Sequence, residues 1–206
     1  MRKWIAGGDP AEELTKIAEE RDSKLVVVGT HGLTGIQFFL LGSVSQGVVR
    51  HSRRNVLVAR GSDDWSAGPK RILVATDFSD FAEEALRTAL ELAPDDANID
   101  VVHCWQVPIP PASPIDHWSG SPTLATLSED VEEHARQHGK ALIKQHATDR
   151  LNLSYQALAG PPGATIIAYA KRESMRYDLV VTGSHGRRGF RRFFLGSVAE
   201  KIVRHA

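Results

Sequence analysis

Several features that mark particular classes of protein are scarce or absent in this sequence. It has one cysteine, Cys104, among 206 residues, which excludes an internal disulfide and favours a reducing compartment. Its 25 basic and 25 acidic side chains leave no formal net charge, which argues against bulk electrostatic binding of nucleic acid. No apolar run approaches the roughly 18 residues of a membrane-spanning helix, and residues 1–9 do not resemble a signal peptide. We therefore predict a cytoplasmic protein without a membrane or nucleic-acid partner.

The motifs of the commoner nucleotide and metal chemistries are missing as well. There is no Gly-x-x-x-x-Gly-Lys-Ser/Thr loop and no Gly-x-Gly-x-x-Gly after the first strand of the second half. Both absences disfavour a motor-type NTPase and a standard dehydrogenase. Histidine, cysteine and carboxylate residues nowhere show the spacing of a zinc site. The sequence therefore predicts neither a metal site nor a catalytic residue.

An internal repeat is the most informative feature that is present. Residues 25–52 (LVVVGTHGLTGIQFFLLGSVSQGVVRHS) align without gaps with residues 179–206 (LVVTGSHGRRGFRRFFLGSVAEKIVRHA) at an offset of 154. Upstream the likeness continues more loosely. Self-similarity at a fixed offset indicates two copies of one structural unit.

The two copies differ in completeness. The first continues into an apolar run at 55–59, whereas the second stops at residue 206 and is preceded by a section, 70–159, that has no counterpart upstream. We predict that residues 1–60 are the C-terminal half of a first unit, 61–69 a linker, and 70–206 a second unit that lacks its last strand. We expect a fragment of a longer tandem protein, with a native short form as the alternative.

Hydrophobic periodicity predicts alternating strands and helices. Asp9 reads as a helix N-cap, Pro10 suits a first helical position, and Ser79 opens another helix. The pattern predicts strands at 25–28, 55–59, 72–75, 99–104, 153–158 and 179–182, and helices from 10, from 43, from 79, and over about 126–147, 166–172 and 197–204, with a proline-rich loop at 107–122. This alternation predicts an α/β fold: a doubly wound, parallel, five-stranded type of sheet with helices on both faces, similar to a Rossmann fold.

A glycine pattern occurs in both copies. Gly-x-x-Gly follows a predicted strand, and after nine residues Gly-Ser precedes a predicted helix; these residues are Gly29, Gly32, Gly42 and Ser43, then Gly183, Gly186, Gly196 and Ser197. Glycine lets the backbone approach a ligand closely, and a helix N-terminus offers free N–H groups and a positive dipole end to a phosphate. The arrangement therefore predicts a polyphosphate cradle made mostly of backbone.

The same residues carry a resemblance to a known family. The glycine spacing, the wording Val-Gly-Thr-His-Gly and Phe-Leu-Gly-Ser-Val, and the segments 72–79, 102–103 and 8–13 are similar to those of universal stress proteins of the UspA type. The resemblance covers nearly the whole chain except the linker and the proline-rich loop. It implies an ATP- or AMP-binding module of the stress response, with or without Mg²⁺, that acts through nucleotide-dependent association.

The resemblance also implies individual roles. Asp77, which ends the first strand of the complete unit, would contact the nucleoside, and Cys104 would lie against adenine. Ala75 stands where the family often has proline, and it would line the same site. The phosphates would be held by Gly183, Gly186, Gly196, Ser197 and Val198. The first copy would keep a partial phosphate site, at Gly29, Gly32, Gly42 and Ser43.

Other interpretations of these residues remain open. The glycines could serve turns and packing, Asp77 could only cap the helix that follows, and His185 could be structural, phosphate-adjacent or catalytic. The whole protein could be a slow ATP hydrolase or a nucleotide-free dimerisation domain. Family members pair through their last strand, so we expect intramolecular pairing of the two units or a homo-oligomer, with exposed sheet edges that promote association.

Overall fold

The computed structural model describes residues 3–30, 41–60, 66–107, 124–172, 174–186 and 195–206. These residues fall into two compact units. The described residues up to 60 form the first unit together with 195–205, and residues 66–186 form the second. No described helix is long and apolar enough to cross a membrane.

The elements alternate along the chain as the periodicity predicts. Helices and strands occur in the order α1 (Pro10–Glu20), β1 (Leu25–Gly29), α2 (Ser43–His51), β2 (Asn55–Ala59), β3 (Arg71–Ala75), α3 (Asp80–Leu92), β4 (Asn98–Trp105), α4 (Leu124–His146), β5 (Asn152–Ala159), α5 (Pro162–Ala170), β6 (Leu179–Thr182) and α6 (Ser197–His205).

The second unit is built on a parallel sheet of four strands in the order β5-β4-β3-β6. Its central strands β3 and β4 are continuous apolar runs because both of their faces are covered. Ile72, Leu73 and Val74 of β3 are fully buried, and so are Val101 and Val102 of β4. These strands are the core on which the edge residues of the sheet are positioned.

Helices cover both faces of this sheet. Tyr155 of β5 points to one face, where its hydroxyl donates to the carbonyl oxygen of Ala135 in α4 at 2.8 Å. The neighbouring Ser154 points to the other face and donates to Asp100, which also accepts from Tyr177. Tyr177 stacks on Tyr169 of α5, with ring centroids 6.2 Å apart. The fold is therefore a doubly wound α/β sheet, which confirms the predicted fold class.

Polar groups fix both ends of α3. Ser79 is the N-cap of α3 and accepts from the amide of Ala82, in agreement with the prediction that a helix opens at this residue. At the other end, the guanidinium of Arg150 donates to the carbonyl oxygens of Ala93 and Leu90 at 2.6 and 2.7 Å. A cation there satisfies carbonyl groups that have no partner within the helix, and it complements the helix dipole.

The first unit contains the parallel pair β1-β2 and the helices α1, α2 and α6. Asp9 caps α1 by accepting from the amides of Ala11 and Glu12, as predicted. The two helices α1 and α2 approach closely, because a Cβ on Gly47 would lie 2.6 Å from that of Ala11. Val27 of β1 is 59 % exposed, although a continuous apolar run such as residues 25–28 is typical of a strand buried on both faces.

One helix boundary also differs from the sequence prediction. The periodicity placed the start of α5 at Ile166, whereas the helix begins at Pro162 with Pro161 as its N-cap. Apolar periodicity misses this first turn because its small residues carry little hydrophobic signal. Proline is nevertheless a favourable residue at the first helical position. The predicted loop at 107–122 and most of the predicted linker at 61–69 lie outside the described residues.

The glycine at position 139 lets α4 lie directly on the sheet. A Cβ built on Gly139 would overlap the ring of Tyr155. Burial raises the pKa of Tyr155 to about 12, so its hydroxyl stays protonated at neutral pH and remains a donor to α4. The helix backbone and the aromatic ring are therefore fitted to each other.

We predict that Gly139→Ala lowers the free energy of unfolding by about 1–3 kcal/mol through overpacking, even though alanine favours a helix by ~1 kcal/mol. Urea denaturation measures the change. In a Tyr155→Ala background the same substitution should become neutral or stabilising, because the ring is gone. Equal effects of Gly139→Ala in the two backgrounds would contradict the packing argument.

Candidate functional site

The second sheet has a switch point between β3 and β6. The chain runs outward from β3 through β4 to β5, and it then returns to place β6 on the other side of β3. Ala75 at the end of β3 is opposite Thr182 at the end of β6. Ligands of open parallel sheets bind in the crevice outside such strand ends. The topology therefore selects this edge before any side chain is considered.

The loop after β3 holds the carboxylate of Asp77 in a fixed position. Its Oδ1 accepts from the amide of Ser79 at 3.1 Å and from the Ser79 hydroxyl at 2.6 Å. Between them Phe78 has a φ of 61°, a left-handed conformation that costs free energy in a residue with a side chain. The amide of Phe78 donates to Thr76 Oγ1 at 3.0 Å, which stabilises the turn.

The segment after β6 contacts this loop through two glycines. A Cβ on Gly186 would lie 2.6 Å from Asp77 Oδ2, so a side chain at this position would require the carboxylate to move. A Cβ on Gly183 would lie 3.0 Å from the backbone C and O atoms of Phe81 and 3.1 Å from the amide of Ala82. Gly183 therefore serves backbone packing against the start of α3, while Gly186 faces the side chain of Asp77.

His185 lies between these two glycines. Its Nδ1 is 3.0 Å from Ser184 Oγ, and its ring centroid is 5.3 Å from that of Phe81. Its Nε2 is buried without a hydrogen-bond partner in the described structure. A buried polar atom without a partner is uncommon in folded proteins, and a bound ligand or a water molecule is one way to satisfy it.

Cys104 lies farther along the same edge. On β4 it comes two residues after Val102, which is opposite Ala75 of β3. Its thiol is 3.9 Å from the carbonyl oxygen of Pro162, and burial raises its pKa to about 11. The thiol therefore stays protonated at neutral pH and behaves as a small apolar group rather than as a nucleophile.

The histidine before Cys104 has a structural environment. His103 Nδ1 is 2.9 Å from the carbonyl oxygen of Thr76, and its ring centroid is 4.6 Å from that of Phe78. His138 and Tyr155 extend this aromatic group, with centroids 5.6 and 6.3 Å from Phe78. No group of three or more histidine, cysteine or carboxylate residues within the described ranges could hold a metal ion.

The first copy brings the end of β1 to the start of α2. Thr30 follows β1, and its carbonyl oxygen accepts from the amide of Gly42 at 2.9 Å. A Cβ on Gly42 would lie 3.2 Å from that oxygen. Ser45 donates its hydroxyl to the carbonyl oxygen of Gly29. Gly42 is the N-cap of α2 and Ser43 is its first residue, while Gly32 lies outside the described residues.

The helices α2 and α6 are equivalent in the repeat, and they contact each other within the first unit. Glu200 accepts from Arg50 at 3.1 Å and from Arg204 at 2.9 Å. With its amide oriented to suit its neighbours, Gln46 accepts from the same two arginines at 3.3 and 2.7 Å. The repeat offset of 154 pairs Gln46 with Glu200 and Arg50 with Arg204. The contact is therefore close to two-fold symmetric in its residue positions.

Two cavities of the second unit lie away from the switch point. One, of about 460 Å³, lies between α4 and β5, and the other, of about 390 Å³, lies between α5 and the end of β5. The candidate site is therefore assigned to the switch point at Asp77 from its topology and its polar groups, and not from cavity size. The left-handed turn at Phe78 and the buried nitrogen of His185 were missed by sequence reasoning, because neither has a signal in residue spacing.

The predicted site residues are divided between the two units. Ala75, Asp77, Cys104, Gly183 and Gly186 belong to the second unit. Residues 196–198 begin α6 and are described with the first unit, where the carbonyl oxygen of Gly196 accepts from the amide of Glu200 at 2.8 Å. Their place beside Asp77 stays a prediction.

The fold and the site geometry define a doubly wound α/β protein with a glycine-lined switch point. Comparison with known proteins identifies its family within this class. The model of the universal stress protein family matches residues 3–60 and 68–206. A universal stress protein of Synechocystis sp. is 30 % identical over 146 residues, which are 67 % of this chain and 93 % of that protein. The chain belongs to the universal stress protein family.

Longer relatives and solved structures agree with this assignment. A universal stress protein of Mycolicibacterium smegmatis is 28 % identical over 198 residues, and the match spans 93 % of this chain but 62 % of that protein. The structure of a universal stress protein from Archaeoglobus fulgidus has a TM-score of 0.64 and 23 % identity, covering 100 % of this chain and 66 % of that one. At this identity the structural likeness shows the fold alone.

The two glycines of the switch point should differ in what they support. We predict that Gly183→Ala lowers the free energy of unfolding by about 1–3 kcal/mol, because the new methyl group meets backbone atoms of α3 that cannot rotate away. Gly186→Ala should change it by less, because the Asp77 side chain can turn aside. Urea denaturation of the two variants tests the difference, and the reverse order would contradict these roles.

Proposed function

We propose that this chain is a nucleotide-binding module that holds ATP or AMP at the switch point of its second unit. Asp77 contacts the nucleoside, Ala75 and Cys104 line the base pocket, and the backbone near Gly183 and Gly186 faces the phosphates. Residues 196–198 add the N-terminus of α6 to the phosphate site, where free N–H groups and the helix dipole favour an anion. Mg²⁺ can accompany the phosphates.

The position of the Asp77 carboxylate beside a glycine at the switch point is the observation that carries this proposal. The carboxylate is fixed by Ser79 through Oδ1, while Oδ2 faces a position where even one methyl group would come within 2.6 Å. A fixed acceptor beside bare backbone suits a ligand that donates hydroxyl groups and carries phosphate, as a nucleotide does. Packing alone does not require glycine at position 186, because the neighbour there is a side chain.

Other features of the same edge fit a nucleotide. Ala75 is small and only 6 % exposed, and the protonated thiol of Cys104 offers a soft apolar contact to a base. The buried Nε2 of His185 lacks a partner in the described structure, and a phosphate oxygen would supply one. In the first copy, Gly29 at the end of β1 and Gly42 and Ser43 at the start of α2 correspond only to the phosphate half of such a site.

A stress-response role follows from family membership, and nucleotide-dependent association is the proposed mechanism. A slow ATP hydrolase and a nucleotide-free dimerisation domain are the alternatives. Hydrolysis needs a base positioned on water, and Asp77 already accepts two hydrogen bonds from Ser79. No described geometry favours hydrolysis over binding, so the experiment must separate them.

We predict that Asp77→Asn weakens ATP binding roughly 10- to 100-fold, the loss expected for a hydrogen bond to a charged group. Asparagine keeps the Oδ1 acceptor for Ser79, so the turn and the N-cap of α3 should survive. Mass spectrometry of nucleotide released from the denatured protein identifies the ligand, and calorimetry with added ATP measures affinity. Asp149→Asn removes the same charge at an exposed position and should have no effect.

Three outcomes distinguish the alternatives. ATP or AMP that co-purifies with the wild-type chain and is lost in Asp77→Asn supports the binding module. Phosphate release that depends on Asp77 would establish the hydrolase. A wild-type protein that carries no nucleotide and binds none on addition would refute the nucleotide proposal and leave the dimerisation domain.

We further propose that the contact between α2 and α6 joins equivalent helices of the two repeats within one chain. The four residues of the contact exchange places under the repeat offset, as in a self-complementary interface. Only α6 contributes a negative charge, that of Glu200, because the equivalent position in α2 is the neutral Gln46. Glutamate at both positions would balance the charges of Arg50 and Arg204, whereas the present contact has one positive charge in excess.

We predict that Glu200→Lys lowers the free energy of unfolding by about 1 kcal/mol, because three cations then face each other at a partly exposed contact. Adding Gln46→Glu should restore more than half of the loss, since it moves the anion to the symmetry-equivalent position. Urea denaturation of the single and double variants measures this recovery. Additive effects of the two substitutions would contradict a direct contact between positions 46 and 200. Analytical ultracentrifugation would show whether the contact instead joins two copies of the chain.

A further inference from the structure

The outer edge of β5 is a surface that the proposed nucleotide site does not use. Within the described residues, β5 pairs only with β4, and the pairing runs without interruption from Asn152 to Ala159. Its sequence, NLSYQALA, contains no charged residue and no proline. Edge strands usually carry such residues, or a bulge, because an unpaired edge is a template for another strand.

The backbone groups at this edge can be assigned from the ladder. The amide of Asn152 donates to Ala97 at one end of the strand, and that of Gly160 donates to Trp105 at the other. In a regular parallel ladder, alternate residues of a strand direct both backbone groups to the same neighbour. The even-numbered residues of β5 therefore face β4, and the N–H and C=O groups that point outward, unpaired with any described strand, belong to Leu153, Tyr155, Ala157 and Ala159.

Basic side chains border the edge on both faces of the sheet. Arg136, Lys140 and Lys144 of α4 line the 460 Å³ cavity beside β5. They are spaced four residues apart, so they form one row along the helix. Arg172 lines the 390 Å³ cavity at the other face, near Leu158 and Ala159. No acidic residue lines either of these cavities in the described structure.

Most of this charge has no internal counter-ion. Arg136 is paired with Glu132. Lys140 and Lys144 are exposed and form no ion pair in the part of the chain that the structure describes. Residues 136–146 include no aspartate or glutamate, so all charged side chains in the half of α4 beside β5 are basic. The positive charge is therefore open to an external partner.

We propose that the β5 edge binds an acidic peptide segment of another protein, which adds to the sheet as an extra strand. Main-chain hydrogen bonds to Leu153, Tyr155, Ala157 and Ala159 would provide affinity, and the basic row would select acidic side chains. A second copy of this chain is disfavoured at the same edge. Antiparallel pairing of two β5 strands about a two-fold axis would bring two basic α4 rows onto one face.

The experiment measures binding of the peptide Glu-Val-Glu-Val-Glu-Val-Glu-Val to the full chain by fluorescence anisotropy. The matched peptide with lysine in place of glutamate should bind at least about tenfold more weakly, because each facing charge pair contributes up to ~1 kcal/mol. The peptide Glu-Pro-Glu-Pro-Glu-Pro-Glu-Pro has the same charge but few backbone donors. It should also bind weakly, because proline cannot complete the ladder.

Variants of the chain separate charge from backbone pairing. Lys140→Glu with Lys144→Glu should weaken the acidic peptide at least about tenfold, whereas Lys16→Glu with Lys24→Glu, which changes exposed lysines elsewhere, should leave it unchanged. Ala157→Pro removes one outward N–H without breaking a bond to β4, so it should weaken the peptide several-fold while the fold survives. Circular dichroism and urea denaturation confirm that fold.

Three results would overturn this proposal. Absence of measurable binding to the wild-type chain would do so directly. Equal binding of the proline-containing acidic peptide, or no effect of Ala157→Pro, would indicate a simple polyanion surface without strand addition. A dimer that Ala157→Pro converts to a monomer would assign the edge to a second copy. None of these readouts depends on nucleotide, so the proposed function stands or falls separately.

Discussion

The close approach of the segment after β6 to the start of α3 is the constraint on which the candidate site depends. Gly183 lets the chain pass against the start of α3, where an added Cβ would lie 3.0 Å from backbone atoms of Phe81, and three residues later Gly186 passes beside the carboxylate of Asp77. A larger residue at the first position would push β6 away from its place beside β3. The crevice at the switch point would then lose one of its two walls.

The rigidity of this crevice comes from the sheet beneath it. Residues of β3 and β4 are fully buried, and the turn that follows β3 is fixed by Thr76, Asp77 and Ser79. The left-handed conformation of Phe78 is tolerated because its ring packs on His103. Strain at one residue is thus offset by aromatic contacts, and the carboxylate is held before any ligand arrives.

The sequence predicted the fold and most element positions because strands and helices here follow apolar periodicity and standard caps at Asp9 and Ser79. It also selected Asp77 and Gly186, which the structure places side by side. It did not predict the start of α5, the exposure of Val27 or the unpartnered nitrogen of His185. The start of α5 was missed because its first-turn residues are small, whereas the exposure of Val27 and the surroundings of His185 depend on which elements cover them, about which local spacing holds no information.

The arrangement of α3 limits how nucleotide and partner could influence each other. The helix starts at Ser79, which is bonded to Asp77, and one turn later Glu83 lies 3.8 Å from His146 and 3.5 Å from Gln145 at the end of α4. The basic half of α4 is therefore joined to the switch point by one helix and two polar contacts. Because β3 and β4 form the buried core of the sheet, we expect a change at Asp77 to reach the β5 edge through α3. Coupling by this route requires α3 to have two positions of similar free energy, one favoured by the nucleotide-bound state and the other by the nucleotide-free state.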